Sequence, residues 1–344
     1  MTTSQIITAS ILSLLGIICG KGDCPQFHIK SLKSFVLSFA MAAFSLFLYA
    51  QSGITRVDFL NQSVQRALSA PEITNSPNIV HLPIVDYYSD NIPIVEATIE
   101  GQTYRFVFDT GAEYSIFNSR YIDQSQGGKI TSFGKAERAN GAESLFGVVK
   151  ASNFSLGGLE AKTLYMVTTG IDDEDDAIVH GAIGLTLFKD YDVLFDWTNK
   201  EIILVSHSDM PSILAERFDI IETLPIKFGA YYITTDCKVN GKRLRLVIDT
   251  GAFSCLLPYK KGLKHRLNNI GGKLDAQYRR EGIPDEERTF VLGKQKYSNI
   301  SVCLSYTASS GQDSYDGLLG NNILQLQPIL ISIKSRQLLL LKQK

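Results

Sequence analysis

One stretch of this chain occurs twice. Tyr104-Arg-Phe-Val-Phe-Asp109-Thr110-Gly111-Ala112 returns as Leu244-Arg-Leu-Val-Ile-Asp249-Thr250-Gly251-Ala252. In each copy a run of aromatic and branched aliphatic residues leads into Asp-Thr-Gly-Ala. Such a run predicts a buried strand, and the Asp-Thr-Gly predicts the loop that ends it. A carboxylate at the inner end of a buried strand is costly unless something holds it, so structure alone gives no reason for it to appear twice. Glu100-Gly101 and Asn240-Gly241 precede the two copies at the hairpin position, which makes each Asp strand the second arm of a hairpin.

A second repeated feature follows each Asp. Gly181-Ala-Ile-Gly184-Leu-Thr-Leu-Phe188 matches Gly317-Leu-Leu-Gly320-Asn-Asn-Ile-Leu324, each read as a strand ending in Gly and then a helix start. The register holds beyond it, because the segment from Val193 aligns without a gap to the segment from Ile329, each a strand, a turn and a closing strand. Two copies are too few and too long for a solenoid. They predict two homologous lobes, 79–206 and 221–344, joined by a linker at 207–220 with about one helical turn. The pattern from Ile79 onward is one of short strands between turns, so the class is all-β.

The N-terminal region differs. Ser34 to Ala50 is uncharged and follows Lys30 and Lys33, the charge arrangement of an export signal. Cleavage after Ala50 and retention as a membrane anchor both fit, so 1–50 is read as a signal peptide or membrane anchor. Either reading puts the body outside the cytoplasm: periplasmic, secreted, or anchored and facing outward. Apolar residues at helical spacing from Ile54 to Leu68 predict a short amphipathic helix, so 51–78 is read as a helical spacer ending in a Pro71 to Pro77 linker.

Composition narrows the partners. With 44% apolar and 20% charged residues the chain is globular, and a net charge of -1 offers no basic field for nucleic acid or anionic lipid. Contact with a membrane is expected only through the N-terminal anchor. Beyond the leader, Cys237, Cys255 and Cys303 define no disulfide framework; a Cys237 to Cys303 bridge and buried thiols are both compatible with them. The five histidines, His28, His81, His180, His207 and His265, have no zinc spacing, so neither metal nor cofactor is expected. The acidic run Asp172 to Asp176 does not match a calcium loop and is read as a solvated loop.

Strand-Asp-Thr-Gly-Ala, a flap-like segment, apolar-apolar-Gly and strand-turn-strand, all present twice between about Ile79 and Leu341, resemble the retropepsin-like branch of the aspartic proteases. The resemblance implies two tandem β-barrel lobes related by a pseudo-two-fold axis, each giving one Asp loop to a shared site. It implies Asp109 and Asp249 as the catalytic dyad and Thr110 and Thr250 as hydroxyls that cross between the loops. Gly111, Gly251, Ala112 and Ala252 would support the loops, with Gly184 and Gly320 packed behind them. Asn140-Gly141 is the flap candidate in lobe one. The lobe-two counterpart, between Asp275 and Arg288, is charged and interrupted by Pro284.

The chemistry expected is hydrolysis of peptide bonds by an activated water. Two carboxylates about 3 Å apart cannot both ionise readily, so they share a proton. One takes a proton from water while the other hydrogen-bonds the scissile carbonyl. The residues leave open which Asp does which. The reading is an aspartic endopeptidase acting on polypeptide as a monomer. The alternatives are a catalytically silent peptide-binding or sensing protein on the same scaffold, and an oligomer in which each lobe pairs with a lobe of another chain.

Overall fold

The computed structural model describes residues 56–59, 68–118, 121, 133–137, 143–168, 179–229, 232–258, 283–305 and 315–344. The leader at 1–50, Asn140, Gly141, the acidic run and residues 275–282 lie outside the described residues. Among the described residues no helix is long and apolar enough to cross a membrane.

Each repeat closes into a six-stranded barrel, and the two have the same plan. In lobe one the ring runs Ile92–Ile99, Gln102–Phe108, Gly181–Ile183, Ile116–Phe117, Leu159–Thr168, Glu143–Leu156 and back to the first strand. In lobe two it runs Ile233–Val239, Lys242–Ile248, Gly317–Leu319, Cys255–Pro258, Gln295–Ser305, Ile283–Leu292 and back. Both Asp strands enter through two-residue hairpins. Glu100 and Gly101 have φ of 52° and 82°, and Asn240 and Gly241 have φ of 46° and 80°. Two successive positive φ values define the turn that matches strand twist, which is why Gly holds the second position in both.

The two lobes share one more sheet. Its order is Phe218–Phe228, Gln337–Gln343, Ile329–Ser332, Asp192–Asp196, Glu201–Val205 and Ile79–Pro83, so each lobe gives three strands. At its centre Val193 pairs with Ile331, Leu194 with Leu330 and Phe195 with Ile329. Equivalent strands of the two repeats therefore pair about a two-fold axis that passes between the equivalent residues Leu194 and Leu330. Both faces of this sheet are covered, one by the barrels and the other by the helix Met210–Arg217, whose Met210, Ile213 and Leu214 pack on Leu194, Val205, Leu330 and Leu341. Burial on both faces explains why Ile202 to Val205 and Leu338 to Leu341 are unbroken apolar runs without alternation.

One apolar core runs through both barrels and the near face of the shared sheet. The repeats fill equivalent places in it with different shapes. Phe108 stacks on Phe188 at 4.7 Å between ring centres and meets Phe195 edge-on at 5.7 Å. The same three positions in lobe two are the aliphatic Ile248, Leu324 and Ile331, all buried. Phe108→Ala should cost about 3–5 kcal/mol, the range for emptying a buried aromatic site, read as a lower urea midpoint at unchanged slope.

The N-terminal spacer departs from the expected helix. Arg56–Phe59 is a strand paired antiparallel with Phe133–Glu137, and Glu72–Asn75 is a strand paired with Leu159–Thr168. Only Leu68 and Ser69 are helical in the described part of this segment. Free sheet edges on lobe one accept these strands, and such pairing outweighs a modest local helical periodicity. The linker also differs in extent: the helix covers Met210–Arg217, and the strand Phe218–Phe228 begins before the expected boundary at Ile221. Cys237 and Cys255 are buried and Cys303 is half-buried, and no disulfide bridge joins Cys237 to Cys303.

Candidate active site

Asp109 and Asp249 stand at equivalent points, each one residue past the end of its barrel strand. Their backbone amides donate to the carbonyls of Ile183 and Leu319, at 3.0 and 3.1 Å, on the strand that runs parallel beside each. The two loops meet at the centre of the molecule. Thr110 N–H donates to Oγ1 of Thr250 at 3.0 Å, and Thr250 N–H donates to Oγ1 of Thr110 at 3.1 Å. Each hydroxyl then donates onward to the opposite strand, Thr110 to the Ile248 carbonyl at 2.8 Å and Thr250 to the Phe108 carbonyl at 2.7 Å. Both threonines are buried, so four mutually satisfied hydrogen bonds replace water and clamp the loops together.

The clamp sets each carboxyl against the glycine of the opposite loop. Gly111 N–H donates to Oδ1 of Asp109 at 2.8 Å, and Gly251 N–H donates to Oδ1 of Asp249 at 2.9 Å. Neither glycine could carry a side chain. A Cβ on Gly111 would lie 2.5 Å from the Asp249 carboxyl carbon, and one on Gly251 would overlap that of Asp109. Space decides here, since neither backbone has a positive φ.

Both carboxyls are buried. Burial pushes Asp109 from an ordinary 3.8 up to about 6. It outweighs the hydrogen bonds from the Gly111 amide, the Asp249 carboxyl and the Ala112 and Gly251 amides, which favour the ionised form.

The carbonyls of Ala112 and Ala252 accept from the amides of Leu185 and Asn321, each at 2.8 Å, and so fix the starts of the short helices Leu185–Phe188 and Asn321–Leu324. Gly184 and Gly320 lie against the outgoing arms of the loops. A Cβ on either would be 2.5 Å from the carbonyl carbon of Tyr114 or Ser254. The flap candidate is carried by a hairpin: Phe133–Glu137 pairs with Glu143–Leu156 from Phe133 opposite Gly147 to Glu137 opposite Glu143. Asn140 and Gly141 fall between those strands, outside the described residues. In lobe two, Pro284 is part of the strand Ile283–Leu292, where the pairing register shifts between Ile283 and Glu286.

Three residues near the pair were not singled out from sequence. Asn321 is fully buried and donates from Nδ2 to the Thr250 carbonyl at 2.7 Å. Glu113 leaves the Asp109 loop, and burial pushes its carboxyl up to about 7 against an opposing hydrogen bond with Tyr114. Tyr315 packs edge-on against Tyr232 at 4.8 Å, and burial with the nearby Asp249 charge pushes its phenol up to about 12. The signal available for the first two was a difference between the repeats, since the equivalent positions hold Leu185 and Phe253.

Residues 95–187 match the aspartyl protease family model, which spans most of the lobe-one barrel and includes the Asp109 loop. Lobe one is thus similar to the aspartyl proteases over this range, and the second closed barrel, with its own Asp-Thr-Gly loop, fits a tandem of two such lobes. No curated protein matches the chain.

Proposed function

We propose that the chain is an aspartic endopeptidase in which a water held between Asp109 and Asp249 attacks a peptide carbonyl. The observation that carries this is the burial of two carboxyls, one from each repeat and each beside the other loop's glycine, on loops that cannot move apart without breaking four hydrogen bonds. Two carboxyls so placed hold one proton between them over a middle range of pH. The ionised member takes a proton from water as the oxygen attacks. The protonated member hydrogen-bonds the carbonyl oxygen and stabilises the charge that develops there. Collapse of the tetrahedral intermediate needs a proton on the leaving nitrogen, which the acid formed in the first step supplies.

One chain contributes both carboxyls, which supports a monomer, and sedimentation of the active protein would check it. The hairpin of Phe133–Glu137 and Glu143–Leu156 is assigned as the flap because Glu143 to Phe146 pair with that strand alone, outside the barrel ring. The charge arrangement before the apolar leader supports a body outside the cytoplasm, and mass spectrometry of the native N-terminus tests cleavage against anchoring.

The direct assay is cleavage of a denatured protein between pH 3 and 8, roughly the carboxyl range. Activity should form a bell. On the alkaline side it should fall as pH rises through about 6, where Asp109 loses the shared proton. On the acid side it should fall as the pair takes a second proton. Rates that do not change across this window would contradict a carboxyl pair as the catalyst.

A further inference from the structure

The two Asp loops share the crossed threonine bonds and the Gly-to-Asp bonds, but they differ in a buried contact beside them. The Nδ2 of Asn321 donates to the carbonyl oxygen of Thr250 at 2.7 Å. That carbonyl belongs to the same peptide group as the Gly251 N–H, which donates to Oδ1 of Asp249 at 2.9 Å. In lobe one the peptide between Thr110 and Gly111 makes the matching bond to Asp109 at 2.8 Å, but the residue at the Asn321 position is Leu185, which has no donor to offer. A peptide group that accepts at its oxygen donates more strongly from its nitrogen, because each bond polarises the next. The amide dipole of Asn321 also points its positive end toward the Asp249 loop, and a donor or dipole of that sense favours the ionised carboxyl. Gly251 N–H faces Asp109 as well, but it is the weakest of the amides that do so.

Asn321 is a poor choice for stability. It is fully buried, and its Oδ1 has no hydrogen-bond partner among the described residues. Turning the amide over would set two carbonyl oxygens against each other. The same place in lobe one takes a leucine without difficulty. A buried polar group left half satisfied costs free energy, so packing does not explain this asparagine.

We propose that Asn321 is a positioning residue that breaks the two-fold equivalence of the pair, holding the negative charge on Asp249 and leaving the shared proton on Asp109. On the protease reading, which this assignment of roles rests on, Asp249 is the base that takes the proton from water and Asp109 the acid that meets the substrate carbonyl. The surroundings agree. Of the other titratable groups at the pair, the Tyr315 phenol is neutral because burial and the Asp249 charge push it up to about 12. The Cys255 thiol behind Gly320 is neutral because burial raises it far above its usual range. Glu113, whose carboxyl is pushed up to about 7, sits on the Asp109 loop, where any charge it gains would favour a proton on Asp109. The short helices that start at Leu185 and Asn321 bring no titratable side chain.

Asn321→Leu, which copies the lobe-one residue, tests this. The acid limb of the kcat profile should move up by about 0.5 pH unit, roughly a threefold change in the first ionisation constant of the pair, with Tm unchanged or raised. Adding Leu185→Asn to that variant should bring the limb back, because either asparagine supplies the donor. A readout that does not need turnover is the carbon-13 titration of the two aspartate carboxyls in the full chain. Asp249 should carry the lower step in the parent protein, both should share it in Asn321→Leu, and Asp109 should carry it in the double variant. An unmoved acid limb, or a parent protein whose lower step belongs to Asp109, overturns the proposal. A parent chain that fails to cleave polypeptide overturns the protease reading instead, and the titration still decides the role of Asn321.

Discussion

Asp109→Asn and Asp249→Asn should each lower kcat/KM for a polypeptide by about 10³-fold or more, the upper part of the range for loss of a general acid or base. An amide cannot share the proton, so the remaining carboxyl loses both its partner and its protonation state. The double variant should be scarcely worse than either single one, since the two groups act as a unit. Stability should move the other way. Asp109 binds its proton more tightly folded, near 6, than in an ordinary aspartate at 3.8. The stability this gives is fully present below about 4 and is lost as pH rises through about 6, because ionising a buried carboxyl opposes folding. At pH 7 Asp109→Asn removes that cost, so the inactive variant should be the more stable protein by on the order of 2 kcal/mol. Urea unfolding at pH 4 and pH 7 would check it: the difference between variant and parent should be present at pH 7 and shrink at pH 4.

Gly251→Ala should be the next most damaging change, with Gly111→Ala its counterpart. The added methyl would overlap the carboxyl carbon of the opposite Asp, and the loop is pinned from both sides by the crossed threonine bonds. Overpacking of this kind costs about 1–3 kcal/mol. The larger effect is on rate, because displacing one carboxyl by about 1 Å costs roughly 100-fold. Gly101→Ala is the control that separates space from conformation. Gly101 has φ of 82° with nothing near its Cβ position, so alanine there should strain one hairpin and leave kcat nearly unchanged. Comparing kcat/KM with the urea midpoint across the three variants checks this.

Much of the fold could be read from the sequence because the repeat is a physical signal. Apolar strands ending in Asp-Thr-Gly, two-residue turns with Gly second, and an apolar-apolar-Gly before a helix start are all short-range patterns, and each appears twice in one register. Their agreement gave the barrel plan and the alignment that matches Val193 with Ile329 in the two repeats. Readings that depended on long-range pairing fared less well. The helical spacing from Ile54 to Leu68 gave no hint that Arg56–Phe59 would find a sheet edge at Phe133–Glu137. The six-stranded sheet shared by the lobes was also hidden, because unbroken runs such as Leu338 to Leu341 show burial on both faces without saying what covers them. At the site the motif supplied Asp109 and Asp249, but Asn321 could be found only by asking where two otherwise matched repeats differ.

The central claim is that the carboxyls of Asp109 and Asp249 share one proton, and carbon-13 titration of Asp109 in the parent chain and in Asp249→Asn tests it most directly. In the parent, Asp109 should titrate near 6. With a neutral amide in place of its partner that step should move by about one pH unit or more, because the carboxyl that shares its proton is gone and burial acts on Asp109 without it. An Asp109 step at the same pH in both proteins would mean that the two groups ionise independently, and would contradict the account.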